Sequence, residues 1–286
     1  MKKSFIVSEN KGWLTVPGNG LSVYRTFDCG QTFRFDPAED ATYKNEVSGI
    51  AFGKAVRFAD GDDGNIMIKT DEKSFFDIWS DFLSLDTDYE EIDKMIVTAV
   101  EGTGAEHMKY AAEQSRGIRI LRQDRWEALC SFIISQNNNI PRIKKIIAEM
   151  CRRYGEKIEG GYSFPTPEAL ADAGETAIFN MKTGFRAKYI YNAAKKIAEG
   201  EFSLDEVAIC KTYDEAEKML TSLTGVGPKV AACTLLFGFS RLEAFPVDVW
   251  IRRVVERHFP EGLDPHVFGE YAGIAQQYLF YAERYL

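Results

Sequence analysis

The hydrophobic pattern changes its period once along the chain, and this change constrains the fold more than any other feature of the sequence. Up to about residue 70, short segments rich in β-branched and aromatic residues alternate with turns such as DPAED and DGDDGN. They predict strands at residues 32–35, 46–52, 54–60 and 65–70. From about Ser74 onwards, as in SFFDIWSDFLSL, apolar residues recur at helical spacing. Strands followed by helices predict an α+β fold, with a small antiparallel sheet packed on a mainly helical body.

The break between the two parts is predicted near residues 105–120, where the segment EGTGAEHMKYAAEQSRG loosens the helical spacing. We therefore predict a β-rich N-terminal domain over residues 1–112, with helices from about residue 74, and a helical domain over residues 113–286. A chain of 286 residues is long enough to bury a substantial core.

Charge is distributed unevenly along the chain, whose formal net charge is −8. Residues 113–200 carry an excess of five basic side chains, whereas residues 1–112 and 201–286 carry acidic excesses of eight and five. A basic middle region fits an anionic partner. On charge alone, a solvated surface of mixed charge is the simpler explanation.

Several classes of protein are disfavoured by composition. No apolar run approaches the ~20 residues of a membrane-spanning helix, and the start MKKSFIVSENKGW lacks the apolar region of a signal peptide. The scattered cysteines have no CxxC spacing, which predicts reduced thiols and neither disulfides nor a zinc site; they are Cys29, Cys130, Cys151, Cys210 and Cys233. We expect a monomer in the cytoplasm (nucleoid) of a prokaryote, with no membrane contact and no metal.

The segments TYDEAEKMLTSL and PKVAACTLLFGF predict two helices joined by the tight turn TGVGP. Gly225 and Gly227 can adopt positive φ and bring bare backbone close to a partner. Together with Val226 they precede a helix N-terminus, whose free N–H groups favour an anion. A phosphate-binding turn and a plain αα-hairpin fit this pattern equally well.

Two polar residues, Lys229 and Asp248, stand out around this predicted hairpin. The helix dipole opposes a cation in the first helical turn, which favours the free amine that a nucleophilic lysine needs. Nineteen residues later Asp248 lies in PVDV, between two apolar stretches. Each has an ordinary alternative, since a lysine can extend into solvent and an aspartate can simply cap a helix.

Taken together, L-x-G-V-G-x-K-V-A and the later P-V-D-V resemble the helix-hairpin-helix DNA glycosylases, whose catalytic pair is such a lysine and aspartate. Four further stretches resemble the 8-oxoguanine DNA glycosylase family in the same order along the chain. They are DCGQTFRF (28–35), RILRQDRWEALCSFIISQNNNIPRIKKII (119–147), MKTGFRAKYI (181–190) and GIAQQYLFYA (273–282). No cysteine follows Cys233, so the four-cysteine iron–sulfur loop of other branches is not expected, and no cofactor is predicted.

The resemblance implies a bifunctional DNA glycosylase/AP lyase that repairs double-stranded DNA containing oxidised guanine. Lys229 would attack the sugar C1′ of a flipped-out nucleotide, and the resulting Schiff base would permit strand cleavage by β-elimination. Asp248 would either help to deprotonate the amine or stabilise the cationic sugar. The turn with Gly225, Val226 and Gly227 would bind DNA phosphates.

The resemblance also implies roles in base recognition. The Gly30 carbonyl would accept the N7–H that distinguishes 8-oxoguanine from guanine. Gln276 would bind the Watson–Crick edge, and Phe280 and Cys233 would enclose the base between them.

On the opposite strand, Asn137 would fill the vacated space, and Arg142 and Arg186 would bind the unpaired cytosine. Phe185, where the family often has tyrosine, would be the wedge in the base stack. Trp250 stands where some relatives have histidine. The contact to the nearby phosphate would then weaken or be made by the indole N–H instead.

The sequence is also compatible with two other functions. A related glycosylase acting on another damaged base is disfavoured by Gly30, Gln276 and the NNN segment. A DNA-binding protein without catalytic activity is disfavoured by Lys229 and Asp248, because binding DNA phosphates requires neither residue at that spacing.

Overall fold

In the computed structural model, which describes residues 8–102 and 104–285, the predicted α+β architecture is confirmed. An antiparallel sheet of six strands, in the order β1-β2-β6-β5-β4-β3, packs on a mainly helical body. The six strands are β1 Ser8–Asn10, β2 Trp13–Pro17, β3 Phe35–Pro37, β4 Val47–Ala51, β5 Lys54–Asp60 and β6 Asn65–Lys69. A two-stranded hairpin, β7 Lys157–Ile158 and β8 Gly161–Tyr162, lies further along the chain.

The first two strands were not predicted individually, and one predicted strand is misplaced. β2 pairs with β6 along its whole length, from Trp13 opposite Lys69 to Pro17 opposite Asn65. The strand predicted at residues 32–35 begins only at Phe35. The preceding residues are held by the helical body instead of the sheet, since the side chain of Gln31 is bonded to the backbone of residues 119 and 121.

Aromatic and β-branched side chains hold the sheet to the helices that follow it. Phe58 of β5 lies opposite Ile68 of β6, and both are fully buried. The Phe58 ring contacts Trp79 and Phe82, with ring centroids 5.8 and 6.0 Å apart. This packing places the small sheet on the helical segment that begins near residue 72.

Helices make up nearly all of the remaining fold. The α-helices are α1 Val23–Phe27, α2 Glu72–Ser74, α3 Ser80–Phe82, α4 Tyr89–Thr98, α5 Gly104–Gln114, α6 Arg125–Ser135, α7 Ile140–Tyr154, α8 Pro167–Ile178, α9 Arg186–Ala198, α10 Leu204–Ala208, α11 Tyr213–Thr221, α12 Pro228–Gly238, α13 Val249–His258 and α14 Ala272–Tyr285. Other helical turns are the π-helical segments Phe75–Trp79 and Phe179–Thr183 and the 3₁₀ segment Pro265–Tyr271.

Several helices begin at polar side chains that bond the N–H groups of the first turn. Asp124 caps α6 by accepting the N–H of Glu127 at 2.9 Å, and Asn139 caps α7, with a proline in its first turn. Thr212 and Glu215 form a reciprocal capping box at the start of α11. These local bonds fix the ends of the helices that surround the cavity described below.

The buried apolar side chains form two principal clusters. The cluster under the sheet extends from Leu14 to Leu85 and also includes Leu121, whereas the larger cluster fills the helical body. The domain boundary placed at residue 112 falls within α5 and remains a prediction. Within the described residues, no helix combines the length and apolar character needed to cross a bilayer.

A stacked pair of histidines joins α5 to the end of α13. The rings of His107 and His258 are parallel, with centroids 3.6 Å apart. Burial, together with the neighbouring His258, lowers the pKa of His107 from 6.5 to about 4. The unfolded chain therefore binds a proton at this residue at a higher pH than the folded chain does.

The contribution of His107 to the free energy of unfolding should consequently be greatest above pH 6.5 and fall by about 1–2 kcal/mol as the pH drops to 4, after allowance for the partial exposure of His107. Denaturant unfolding of the wild type and of His107→Phe between pH 7.5 and pH 4 measures this change. The variant should lose less stability over that range. Parallel curves for the two proteins would exclude the effect.

Candidate active site

Helices α11 and α12 and the turn between them form the predicted hairpin. Gly225 has φ +84°, and an added Cβ there would lie 2.1 Å from the Tyr189 ring, so only glycine fits. The expectation of positive φ does not extend to Gly227, whose φ of −92° and ψ of 177° are extended. Gly227 is the N-cap of α12 and has no capping side chain, which leaves the first-turn N–H groups available to an anion.

Lys229 lies in the first turn of α12 and is half-buried. Its Nζ donates to Ser135 Oγ at 3.3 Å and lies 5.6 Å from the centre of the Phe132 ring. The Ser135 hydroxyl donates in turn to the Phe132 carbonyl at 2.8 Å, so its oxygen is oriented to accept from the amine. The two contacts hold the amine of Lys229 against α6.

Asp248 is the N-cap of α13, as the sequence suggests. Its Oδ1 accepts the N–H groups of Trp250 and Ile251, both at 2.9 Å. Its Oδ2 accepts no hydrogen bond from any described residue, which leaves one carboxylate oxygen available to a ligand. The capping bonds fix the orientation of the carboxylate.

A cavity of about 520 Å³ brings the lysine and the aspartate together. Seven of the predicted site residues line it: Gly30, Asn137, Lys229, Cys233, Asp248, Gln276 and Phe280. They come from the loop before β3, the turn before α7, and the helices α12, α13 and α14. Trp250 lies on the same wall.

One side of the cavity combines apolar surface with an unpaired amide. Gly30 has φ +79°, and a Cβ there would meet Ile140 at 3.4 Å and Phe280 at 3.5 Å. Gln276 is 5% exposed, yet its side-chain amide makes no hydrogen bond to any described residue. The amide faces the cavity and is not among the fully buried polar atoms that lack a partner, so it is available to bind a polar ligand.

Cys233 lies one helical turn beyond Lys229 and is 5% exposed. Burial raises the pKa of its thiol, and the nearby Lys229 only partly opposes this effect. The thiol is therefore protonated at neutral pH. It contributes a polarisable, largely apolar surface to the cavity wall.

The residues predicted to contact the opposite strand lie beside the cavity, and only Asn137 also lines it. Asn137 is exposed and has a positive φ of 46°. Arg186 is buried beneath this turn and donates to the backbone carbonyls of Gln136 and Asn137. Burial, and then the charge of Arg142, lower the pKa of Arg186.

Phe185 stands out from the surface at the start of α9. Its ring is 53% exposed and lies edge-on to Tyr189, with centroids 5.9 Å apart. The guanidinium of Arg186 lies 4.4 Å from the centre of the same ring. Gly225 packs against Tyr189, so Phe185, the residue predicted to act as the wedge, lies close to the hairpin turn.

Sequence reasoning missed the residues that hold this site together. Ser135 positions the lysine, and Gln136 Nε2 donates to the Gly225 carbonyl at 3.1 Å, which links the Asn137 turn to the hairpin. These contacts join residues about 90 positions apart. The one sequence feature that pointed to Ser135 and Gln136 is their position directly before the NNN run.

A larger cleft of about 970 Å³ lies between the sheet and α7. Several of its cations are already bound to neighbouring side chains: Arg34 to Glu127, Lys54 to Ser74, Arg57 to Glu46 and Lys144 to Asp36. Among the residues that the structure describes, no group of three or more His, Cys, Asp or Glu is arranged to hold a metal ion. The absence of a cofactor remains a prediction.

Comparison with known families agrees with this geometry. The model for the helix-hairpin-helix superfamily of base excision DNA repair proteins matches residues 130–266. The model for the N-terminal domain of 8-oxoguanine DNA glycosylase matches residues 14–129. Together the matches span residues 14–266, which include strands β3 to β6 and the cavity residues Gly30, Lys229 and Asp248, whereas Gln276 and Phe280 lie beyond them.

Individual relatives support the same assignment. N-glycosylase/DNA lyase OGG1 of Arabidopsis thaliana is 30% identical over 92% of this chain and 77% of its own length. N-glycosylase/DNA lyase of Saccharomyces cerevisiae is 39% identical over 52% of this chain, a match that spans only 44% of the yeast protein. The 8-oxoguanine glycosylase/lyase of Clostridium acetobutylicum, solved with dsDNA containing cytosine opposite 8-oxoG, shares 34% identity over 98% of both chains, with a TM-score of 0.87.

The fold and site therefore define a base-excision repair protein of the helix-hairpin-helix class. Within that class, the chain belongs to the 8-oxoguanine DNA glycosylase family of N-glycosylase/DNA lyases.

Proposed function

We propose that this protein excises 8-oxoguanine from double-stranded DNA, preferentially opposite cytosine, and then cleaves the strand at the resulting site. The observation that carries the proposal is the single cavity that contains Lys229 and Asp248 together with Gly30, Gln276 and Phe280. A cavity of about 520 Å³ is large enough to receive one flipped-out base.

The chemistry begins with the free amine of Lys229. Its lone pair forms a bond to C1′, while the C1′–N9 bond breaks and its electrons leave with the base, which is then protonated. The adduct loses a proton and opens to an imine. This Schiff base acidifies C2′–H, and loss of that proton expels the 3′ phosphate by β-elimination.

Asp248 assists because its carboxylate is fixed by the helix it caps. Oδ2 is available either to take a proton from the amine or to stabilise positive charge on the sugar. Ser135 keeps the amine of Lys229 directed along α6 before DNA binds. The turn at Gly225–Gly227 binds backbone phosphates through its N–H groups, which needs no strongly basic surface.

Recognition of the damaged base rests on the Gly30 carbonyl and on Gln276. The carbonyl accepts N7–H of 8-oxoguanine, whereas guanine presents an acceptor at N7 and leaves the carbonyl unpaired. Gln276 uses its otherwise unpaired amide for the Watson–Crick edge, and Phe280 and Cys233 enclose the ring. Guanine is therefore rejected chiefly at one atom.

On the opposite strand, Asn137 occupies the vacated space, and Phe185 enters the base stack. Arg142 and Arg186 donate to the acceptors of cytosine. Most N–H groups of Arg186 already donate to the backbone carbonyls of Gln136, Thr183 and Asn137. Arg186 can therefore bind cytosine only if the Asn137 turn changes conformation when DNA binds.

Single-turnover assays on duplexes carrying 8-oxoguanine opposite each of the four bases test this function. Base release and strand cleavage should be fastest opposite cytosine, and a guanine–cytosine duplex should remain intact. Equal rates opposite all four bases would contradict the cytosine preference. Release of an alkylated base but not of 8-oxoguanine would overturn the substrate assignment.

Replacing Gly30 by alanine tests the recognition step. The positive φ lowers stability by about 1 kcal/mol, and the new methyl group enters the cavity beside Phe280. Excision of 8-oxoguanine should fall at least about tenfold, while cleavage of a preformed abasic site persists. Gly200→Ala is the matched control, because Gly200 has φ +73° with nothing within 4 Å of an added Cβ. Equal losses in both variants would attribute the effect to backbone strain.

A further inference from the structure

Three consecutive backbone carbonyls, of which only the Gly30 residue lines the cavity, differ in how they are bonded. The Cys29 carbonyl accepts Gln277 Nε2 at 2.9 Å, and the Gln31 carbonyl accepts Gln123 Nε2 at 2.8 Å. The Gly30 carbonyl between them accepts no hydrogen bond from any described residue. The one carbonyl left available is therefore flanked on each side by a carbonyl that a glutamine holds.

The peptide that carries the Gly30 carbonyl is anchored at its Gln31 end. The fully buried side chain of Gln31 donates to the carbonyls of Thr26 and Arg119, both at 2.8 Å, and accepts the N–H of Leu121 at 2.8 Å. These three bonds, one to residue 26 and two to residues 119 and 121, fix the Gln31 side chain in place. Rotation at this side of Gly30 is thereby restricted.

The peptide on the N-terminal side depends on Gln277. This residue is 3% exposed, lies on α14 and also lines the cavity. Its bond to Cys29 joins residues 248 positions apart. This bond fixes the Cys29–Gly30 peptide and, through it, the position of the Gly30 Cα. Because a glycine rotates more freely than any other residue, loss of this bond would let φ of Gly30 change and displace the Gly30 carbonyl, which would then be anchored only from the Gln31 side.

We propose that Gln277 is a positioning residue for lesion recognition: by holding the Cys29 carbonyl, it directs the Gly30 carbonyl toward N7–H of the flipped base. This inference rests on the proposed function, in which Gly30 distinguishes 8-oxoguanine from guanine. Gln276, the preceding residue on α14, binds the base itself, whereas Gln277 acts through the backbone.

The test compares affinities for DNA in the Lys229→Gln background, in which no cleavage occurs. Adding Gln277→Met keeps the length of the side chain and removes its N–H donor. Affinity for a duplex with 8-oxoguanine opposite cytosine should fall about tenfold, the loss expected for one misdirected hydrogen bond. Affinity for the corresponding guanine duplex should not change, because guanine makes no N7–H bond.

Two further variants control for indirect effects. Gln123→Met releases the Gln31 carbonyl and should lower the affinity for the 8-oxoguanine duplex in the same way. Gln114→Met, at the end of α5 and away from the cavity, should leave that affinity unchanged. Gln277→Met with Lys229 intact should still cleave a preformed abasic site, which shows that it folds.

The outcomes separate this inference from the function on which it rests. Equal weakening toward 8-oxoguanine and guanine duplexes would show that Gln277 contacts an edge common to both bases, and would overturn the inference. Unchanged affinity for both duplexes would overturn it as well. A protein with Gln277 intact that does not prefer 8-oxoguanine to guanine would overturn both the inference and the proposed function.

Discussion

Replacing Lys229 by glutamine is expected to lower both base release and strand cleavage by at least about 10³-fold, because the substitution removes the attacking amine and leaves a side chain of similar size. Binding to a duplex with a non-cleavable abasic analogue should change little, since the phosphate contacts proposed for the hairpin turn are made by backbone N–H groups. Single-turnover kinetics and binding measurements on the same duplex separate the two effects.

Lys218→Gln is the matched control for this substitution. Lys218 is an exposed residue in the last turn of α11, so the change removes the same charge from the same hairpin without altering the cavity. Its activity should match the wild type. If Lys229→Gln releases the base at a normal rate and only strand cleavage is lost, water is the nucleophile and the lysine has a lesser role.

Replacing Asp248 by asparagine should lower the rate of base release by about 10²–10³-fold with little loss of stability. Asparagine caps a helix about as well as aspartate does, so the bonds to the N–H groups of Trp250 and Ile251 should survive while the negative charge disappears. Thermal unfolding and single-turnover kinetics together separate capping from catalysis. A variant that is equally active would show that Asp248 is a helix cap alone.

Asp124→Asn provides the comparison for Asp248→Asn. Asp124 caps α6 through the same kind of bond, to the N–H of Glu127, and lies outside the active-site cavity. Its substitution should leave the rate of base release unchanged. An equal loss of activity in both variants would point to disturbed helices.

Local patterns in the sequence were sufficient for the parts of the fold and site that depend on neighbouring residues. The change of period predicted the sheet and the helical body, and Asp248 marked a helix start because a cap acts within three residues. Lys229 was found by its unusual place at a helix N-terminus. The family resemblance then singled out Gly30, Gln276 and Phe280, which the structure places on one cavity.

Long-range contacts explain what the sequence did not reveal. The bond from Gln277 to Cys29 spans 248 positions, and the bond from Lys229 to Ser135 spans 94. Neither leaves a periodic signal. A long-range contact also explains the misplaced strand at residues 32–35. The alternating pattern of these residues predicted a strand, but the neighbouring Gln31 is bonded to the backbone of residues 119 and 121, and the strand begins only at Phe35.

The central claim, that Lys229 forms a covalent bond to DNA, is tested most directly by borohydride trapping. The protein is mixed with a duplex carrying 8-oxoguanine opposite cytosine, and borohydride reduces any imine to a stable amine. We predict a covalent protein–DNA band with the wild type and with Lys218→Gln, and none with Lys229→Gln. A band that persists in Lys229→Gln, or wild-type base release without any band, would contradict the account.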